Sequence, residues 1–124
     1  MCLVLVLDDD ADLLEMVDLT LSAYGFAIKC ISTGESFSNN VDLVKPDLIL
    51  LDIFLGKFDG RRLCRQLKEH SQYQNIPVIL YSAGNISHPT IEESKANLFI
   101  SKPFDINYLM QKIKSLVKQH GKQV

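Results

Sequence analysis

Four short apolar runs in this chain each lead into a residue capable of chemistry. Leu3-Val4-Leu5-Val6-Leu7 breaks off into Asp8-Asp9-Asp10, and Leu48-Ile49-Leu50-Leu51 into Asp52. Val78-Ile79-Leu80-Tyr81 runs into Ser82, and Leu98-Phe99-Ile100 stops just before Lys102. Unbroken apolar runs of this length suit strands covered on both faces. A fifth strand candidate, Phe26 to Ile31, has no such terminal group. Helical spacing fills the gaps. Leu13, Leu14, Val17, Leu21 and Tyr24 share one side of Ala11 to Tyr24, which Gly25 stops. Gly34 to Lys45 is a weaker helix, because Ser38-Asn39-Asn40 is poor helix material. Arg61 to His70 and Asp105 to Gln119 complete the set. The last carries Ile106, Leu109, Met110, Ile113, Leu116 and Val117 on one face. Strands alternating with helices predict a five-stranded parallel α/β sheet with helices on both faces.

At 124 residues the chain fits one domain, read as residues 1–120 with a fraying tail at 121–124. Its 47 % apolar and 23 % charged residues are a globular balance. A net charge of −2 lacks the basic footprint that direct nucleic-acid binding requires. No apolar run approaches the roughly 18 residues of a membrane span, and Leu3 to Leu7 is too short for a signal peptide. Cys2, Cys30 and Cys64 have no paired spacing and read as small apolar fillers in a reducing compartment. The expected location is the cytoplasm.

In parallel α/β sheets, functional groups gather at the carboxyl ends of the strands. There Asp8, Asp9, Asp10, Asp52, Ser82 and Lys102 would share one cleft. Clustered carboxylates repel and need a cation or a shared proton. All-oxygen ligands favour the hard ion Mg²⁺, whose open positions suit a phosphoryl group. An aspartate can attack phosphorus to form an acyl phosphate. Lys102 can neutralise one phosphoryl oxygen and Ser82 can donate to another. Taken singly, each residue has a plainer role: Asp10 as a helix N-cap, Asp52 capping a loop, Ser82 opening a turn, Lys102 solvated. Only their joint order along the chain argues for chemistry.

The segments Leu5 to Asp10, Pro46 to Asp52, Asp59-Gly60, Pro77 to Ala83 and Ser101-Lys102-Pro103-Phe104 together resemble the receiver domain of two-component response regulators. The resemblance spans almost the whole chain. It implies a flavodoxin-like doubly wound sheet of strand order 2-1-3-4-5, and a signalling switch rather than an enzyme. It implies Asp52 as phosphoacceptor, with Mg²⁺ held by Asp9, Asp52 and the Phe54 carbonyl, and by Asp8 through water. Ser82 and Lys102 would hold phosphoryl oxygens, assisted by the Phe54 and Ala83 amides. Phe99 stands at the switch aromatic, and Lys102-Pro103 would be cis. Implied partners are a sensor histidine kinase or phosphotransfer protein and a downstream protein or effector domain. Neither nucleic acid nor membrane is expected, and the oligomeric state would be monomer or weak homodimer. Departures from the usual pattern are Gly56 after the phosphoacceptor, Ser82 in place of threonine, Ala96-Asn97 before the last strand, and a short Ser82–Lys102 interval.

Two other readings are weaker. A phosphatase of the haloacid-dehalogenase type matches the Asp8–Asp10 spacing, but only Asp105 follows Lys102 where an acidic pair is needed. A binding module that has lost phosphorylation conflicts with the complete set of Asp8, Asp9, Asp52, Ser82 and Lys102. The mobile part of the switch is expected at Gly84 to Asn97. There Gly84, Asn85 and Pro89 disfavour an early helix, and Thr90-Ile91-Glu92-Glu93 fits a capping box that would start a short fourth helix at Ile91.

Overall fold

The computed structural model describes residues 2–84 and 86–119; the expected fraying tail lies outside them. The four apolar runs all become strands, joined by the weaker Ala27–Ile31. In chain order the elements are β1 (Leu3–Leu7), α1 (Ala11–Ala23), β2 (Ala27–Ile31), a 3₁₀ turn (Gly34–Ser36), α2 (Phe37–Val44), β3 (Leu48–Asp52) and two short strands, β4 (Phe54–Leu55) and β5 (Phe58–Asp59). They continue with α3 (Gly60–Lys68), β6 (Val78–Ser82), α4 (His88–Ser94), β7 (Leu98–Ser101) and α5 (Ile106–Gln119). The main sheet is parallel, ordered β2-β1-β3-β6-β7. That is the expected 2-1-3-4-5 once the antiparallel β4–β5 ribbon is set aside.

Strand alternation divides the core in two. Val4, Val6, Leu48, Leu50, Ile79 and Tyr81 face one side and pack with Leu14, Val17, Leu21, Leu109, Ile113 and Val117 of α1 and α5. Leu5, Leu7, Ile49, Leu51, Val78 and Leu80 face the other, with Phe37 and Val41 of α2 and Cys64 and Leu67 of α3. Each central strand is thus buried on both faces, which is why its sequence does not alternate. Among the described residues the three cysteines are free thiols, two of them within these cores.

The sheet's register aligns the chemical groups. Asp52 pairs with Tyr81, Ser82 with Ser101, and Asp8 and Lys102 directly follow β1 and β7. Local signals fix the loops that leave this edge. The Asp10 carboxylate accepts from the amides of Asp12 and Leu13 at 3.0 and 3.3 Å, capping α1 as its plainer role required. Asp59 caps α3 by accepting from the Arg61 amide at 2.9 Å.

Two stretches depart from the sequence reading. The loop after Asp52 is a short hairpin, its turn carried by Gly56 at φ 66°. Helix α4 starts at His88, three residues before the expected Ile91. Pro89 lies in its first turn, where the missing amide hydrogen costs nothing. Thr90 does not cap it; its hydroxyl donates to the Ser87 carbonyl at 2.8 Å. The expectation that this helix is short holds, at seven residues. Asn97, unusual for the family, has a structural task. Its Oδ1 accepts from the Val78 amide at 2.9 Å and from Lys68 Nζ at 2.8 Å, tying α3, β6 and the entry to β7 together.

Candidate functional site

At the carboxyl edge, Asp8 is fully buried and all its acceptor work is local. Its Oδ1 accepts from the Asp10 amide at 2.8 Å. Its Oδ2 accepts from the Tyr81 hydroxyl at 2.7 Å and from Lys102 Nζ at 3.0 Å. Asp52 is 4 % exposed, with Lys102 Nζ 3.5 Å from its Oδ2. Asp9 is exposed, yet one carboxylate oxygen from each of Asp8, Asp9 and Asp52 falls within 4.8 Å of the others.

One ammonium for three carboxylates leaves this edge electron-rich. Burial, and then the Asp8 carboxylate, push the Asp52 carboxyl up to about 6, against the pull of Lys102 and of the Phe54 amide. Such a group is ready for a cation. The donors fit a hard divalent ion: oxygen atoms only, from two strand ends, with Asp9 open to solvent.

Ser82 adds a second demand. It is 1 % exposed, and its hydroxyl has no hydrogen-bond partner among the described residues. A buried hydroxyl without a partner costs free energy. A ligand oxygen at this edge would remove that cost. Lys102-Pro103 is cis, as the resemblance implied.

The other expected residues lie around this group. Phe54 is 56 % exposed, its ring facing the Arg61 guanidinium at 6.0 Å. Phe99 is half-buried against the α2–α3 core, against which Ile86 and Ala96 also pack. Sequence reasoning missed two participants. Tyr81 read as one more apolar strand residue, and nothing in the sequence ties it to Asp8, 73 residues away. Arg61 read only as the first residue of a helix, but it forks onto Asp59 (Nη2–Oδ2 2.7 Å, Nε–Oδ1 3.0 Å) and reaches Thr90 Oγ1 on α4 at 3.1 Å.

Comparison with known proteins agrees with this geometry. Residues 4–114 match the family described as the response regulator receiver domain. The sensory transduction protein BceR of Halalkalibacterium halodurans is 32 % identical over 120 residues, covering 94 % of this chain and 50 % of that protein. The DNA-binding dual master transcriptional regulator RpaA of a Synechocystis species is 27 % identical over 118 residues, covering 94 % of this chain and 49 % of its own length. A crystal structure of a putative response regulator from Chloroflexus aurantiacus superposes with a TM-score of 0.88 at 28 % identity, covering 94 % of this chain and 98 % of that one. The chain spans about half the length of the curated relatives it matches. The expectation of no direct nucleic-acid binding is not borne out by these relatives, one of which is named for binding DNA. With its fold and residues 4–114 matched, the chain belongs to the response regulator receiver domain family, whose members are phosphoacceptor signalling switches.

Proposed function

We propose that Asp52 is the phosphoacceptor of this receiver domain. The observation that carries the reading is the buried Ser82 hydroxyl, without a partner among the described residues, at the same strand edge as the Asp52–Lys102–Asp8 cluster. A phosphoryl group on Asp52 brings the oxygen partner that Ser82 lacks and a further one for Lys102. One Asp52 carboxylate oxygen attacks phosphorus, and the bond from phosphorus to the donor breaks, its electron pair leaving with the donor. The donor is a phosphohistidine of a sensor kinase or phosphotransfer protein, or a small acyl phosphate. Lys102 and Ser82 then hold two phosphoryl oxygens, and attack by water reverses the modification.

Asp9, Asp52 and the Phe54 carbonyl would hold Mg²⁺, with Asp8 acting through a bound water. The ion supplies charge neutralisation between the incoming phosphoryl group and the carboxylates. Self-phosphorylation and dephosphorylation are the only chemistry this assigns to the chain. Phosphorylation repositions Ser82, lets Phe99 turn inward, and alters the surface of α4 and β7 for a downstream protein or effector domain. We place the domain in the cytoplasm as a monomer or weak homodimer, and among the described residues no helix is long and apolar enough to cross a membrane.

Incubation with acetyl phosphate and Mg²⁺, followed by intact-mass and peptide analysis, tests the assignment. The expected result is one phosphoryl group on Asp52, abolished by Asp52→Asn and by EDTA. Labelling that persists in Asp52→Asn refutes it.

A further inference from the structure

Asp8 Oδ2 has two lone pairs, and both are occupied, one by Lys102 and one by Tyr81. The Tyr81 side chain is fully buried. Its hydroxyl also lies 3.5 Å from the Leu7 carbonyl, but the single proton belongs on the much nearer carboxylate. The same ring carries Lys102 Nζ 4.7 Å from its centroid and packs edge-on against Phe104. One side chain therefore touches both partners of the Lys102–Asp8 ion pair.

That pair has to come apart, or at least loosen, for the proposed chemistry. Lys102 Nζ is committed to Asp8 at 3.0 Å, while the Asp52 oxygen is at 3.5 Å. When the ammonium turns to a phosphoryl oxygen, Asp8 loses a donor inside a fully buried pocket. An unsatisfied buried carboxylate oxygen is costly, and that cost would hold Lys102 back.

We propose that Tyr81 is a positioning residue whose hydroxyl keeps Asp8 satisfied while Lys102 moves to the phosphoryl group. This rests on the phosphoacceptor reading of Asp52. The hydroxyl occupies one lone pair of Oδ2 throughout, and the Asp10 amide occupies one of Oδ1. The ring face gives the ammonium an attractive surface beside both carboxylates. The hydroxyl is thus separable from the ring: Tyr81→Phe removes the donor and leaves the packing and the cation–π contact.

The test compares wild type and Tyr81→Phe by calorimetric titration, first with Mg²⁺ alone, then with beryllofluoride in saturating Mg²⁺ as a phosphoryl mimic. The expected result is beryllofluoride affinity about tenfold weaker, because the hydroxyl's bond to Asp8 is worth more once Lys102 has left that carboxylate, with Mg²⁺ affinity changed less than threefold. A metal-free melting cycle with Asp8→Asn supplies a second readout. Tyr81→Phe should lower the melting temperature in the wild-type background and do so much less in the Asp8→Asn background. Equal loss of Mg²⁺ and beryllofluoride binding would mean a general disturbance and overturn the proposal. Unchanged beryllofluoride affinity would overturn it too, since a metal-bound water donating to Asp8 would make the hydroxyl dispensable. If wild type binds neither probe, the phosphoacceptor reading itself fails, and this one with it.

Discussion

Lys102 Nζ lies 0.5 Å closer to Asp8 than to Asp52, at 3.0 against 3.5 Å, so the site's ammonium rests on the carboxylate that is not the proposed phosphoacceptor. Lys102→Met should therefore expose the repulsion it now masks. In EDTA the variant is expected to lose about 1–3 kcal/mol, the cost of one missing donor to a buried charge that keeps its other partners. Mg²⁺ should narrow that loss by supplying the missing positive charge. Urea denaturation with and without the ion measures both. Equal losses in the two conditions would mean that Lys102 supports the fold through its packed stem alone.

The raised Asp52 carboxyl gives metal-free stability a pH dependence of definite sign. Folded Asp52 titrates at about 6, held there by burial and Asp8, whereas an unfolded aspartate titrates at roughly 3.9. Between those values the folded state binds the proton more tightly. Stability therefore falls as pH rises through about 4 to 6, and the full penalty applies above that window. Asp52→Asn removes it. The metal-free variant should be more stable than wild type at neutral pH by on the order of 2 kcal/mol, with the gap closing near pH 4. A gap independent of pH would mean that the carboxylate is already neutralised in the folded protein.

Gly60 stands against the backbone of Asp52, the proposed phosphoacceptor. A Cβ there would meet the Asp52 carbonyl oxygen at 2.1 Å and Ile53 Cα at 3.0 Å, while the Gly60 amide donates to the Ile53 carbonyl at 2.7 Å. Backbone cannot yield as a flexible side chain can. Gly60→Ala is expected to cost about 1–3 kcal/mol or more and to slow phosphorylation by shifting Asp52. Gly84 is the control, since a Cβ there meets nothing within 4 Å. Gly84→Ala should stay within about 0.5 kcal/mol of wild type. Chemical denaturation and acetyl-phosphate labelling separate the two variants.

The parts of this molecule that were legible in its sequence are those where one residue's chemistry and its neighbours' hydropathy agree. Leu48 to Leu51 suits a doubly covered strand, and Asp52 at its end inherits a defined place. The Asp10 cap was legible because capping is local, needing only amides two and three residues on. Contacts between distant elements left no such trace. The Arg61–Thr90 bond spans 29 residues and the Tyr81–Asp8 bond 73. Neither has a period or spacing to betray it. The early start of α4 was misjudged for a different reason: proline disfavours a helix interior but is welcome in a first turn, and a pattern alone does not say which turn Pro89 would occupy.

The segment expected to move lies where the structure is thinly anchored. Helix α4 has seven residues, and helices that short are marginal without packing. Its half-buried Ile91 and buried Ser94, whose hydroxyl turns back to the Ile91 carbonyl, give it little hold of its own. What ties it to the phosphoacceptor loop is the Arg61 guanidinium. This group is gripped by Asp59 at the end of the β4–β5 ribbon, faces the Phe54 ring, and donates to Thr90 in α4. Phe99 packs against the same core as Ile86 and Ala96, on either side of the helix in sequence. On the proposed function, a change in the loop after Asp52 would reach α4 through the Arg61–Thr90 bond and through the core that Phe99 shares. Hydrogen exchange with and without beryllofluoride and Mg²⁺ should place the largest change outside the Asp52 loop within residues 86–99. Arg61→Ala, which leaves the proposed ligands intact, should reduce protection of 88–94 before any phosphoryl mimic is added, by about 1 kcal/mol for one lost hydrogen bond. Unaltered exchange over 86–99 in wild type would move the signalling face elsewhere. Unaltered protection in Arg61→Ala would leave Phe99 as the remaining route to it.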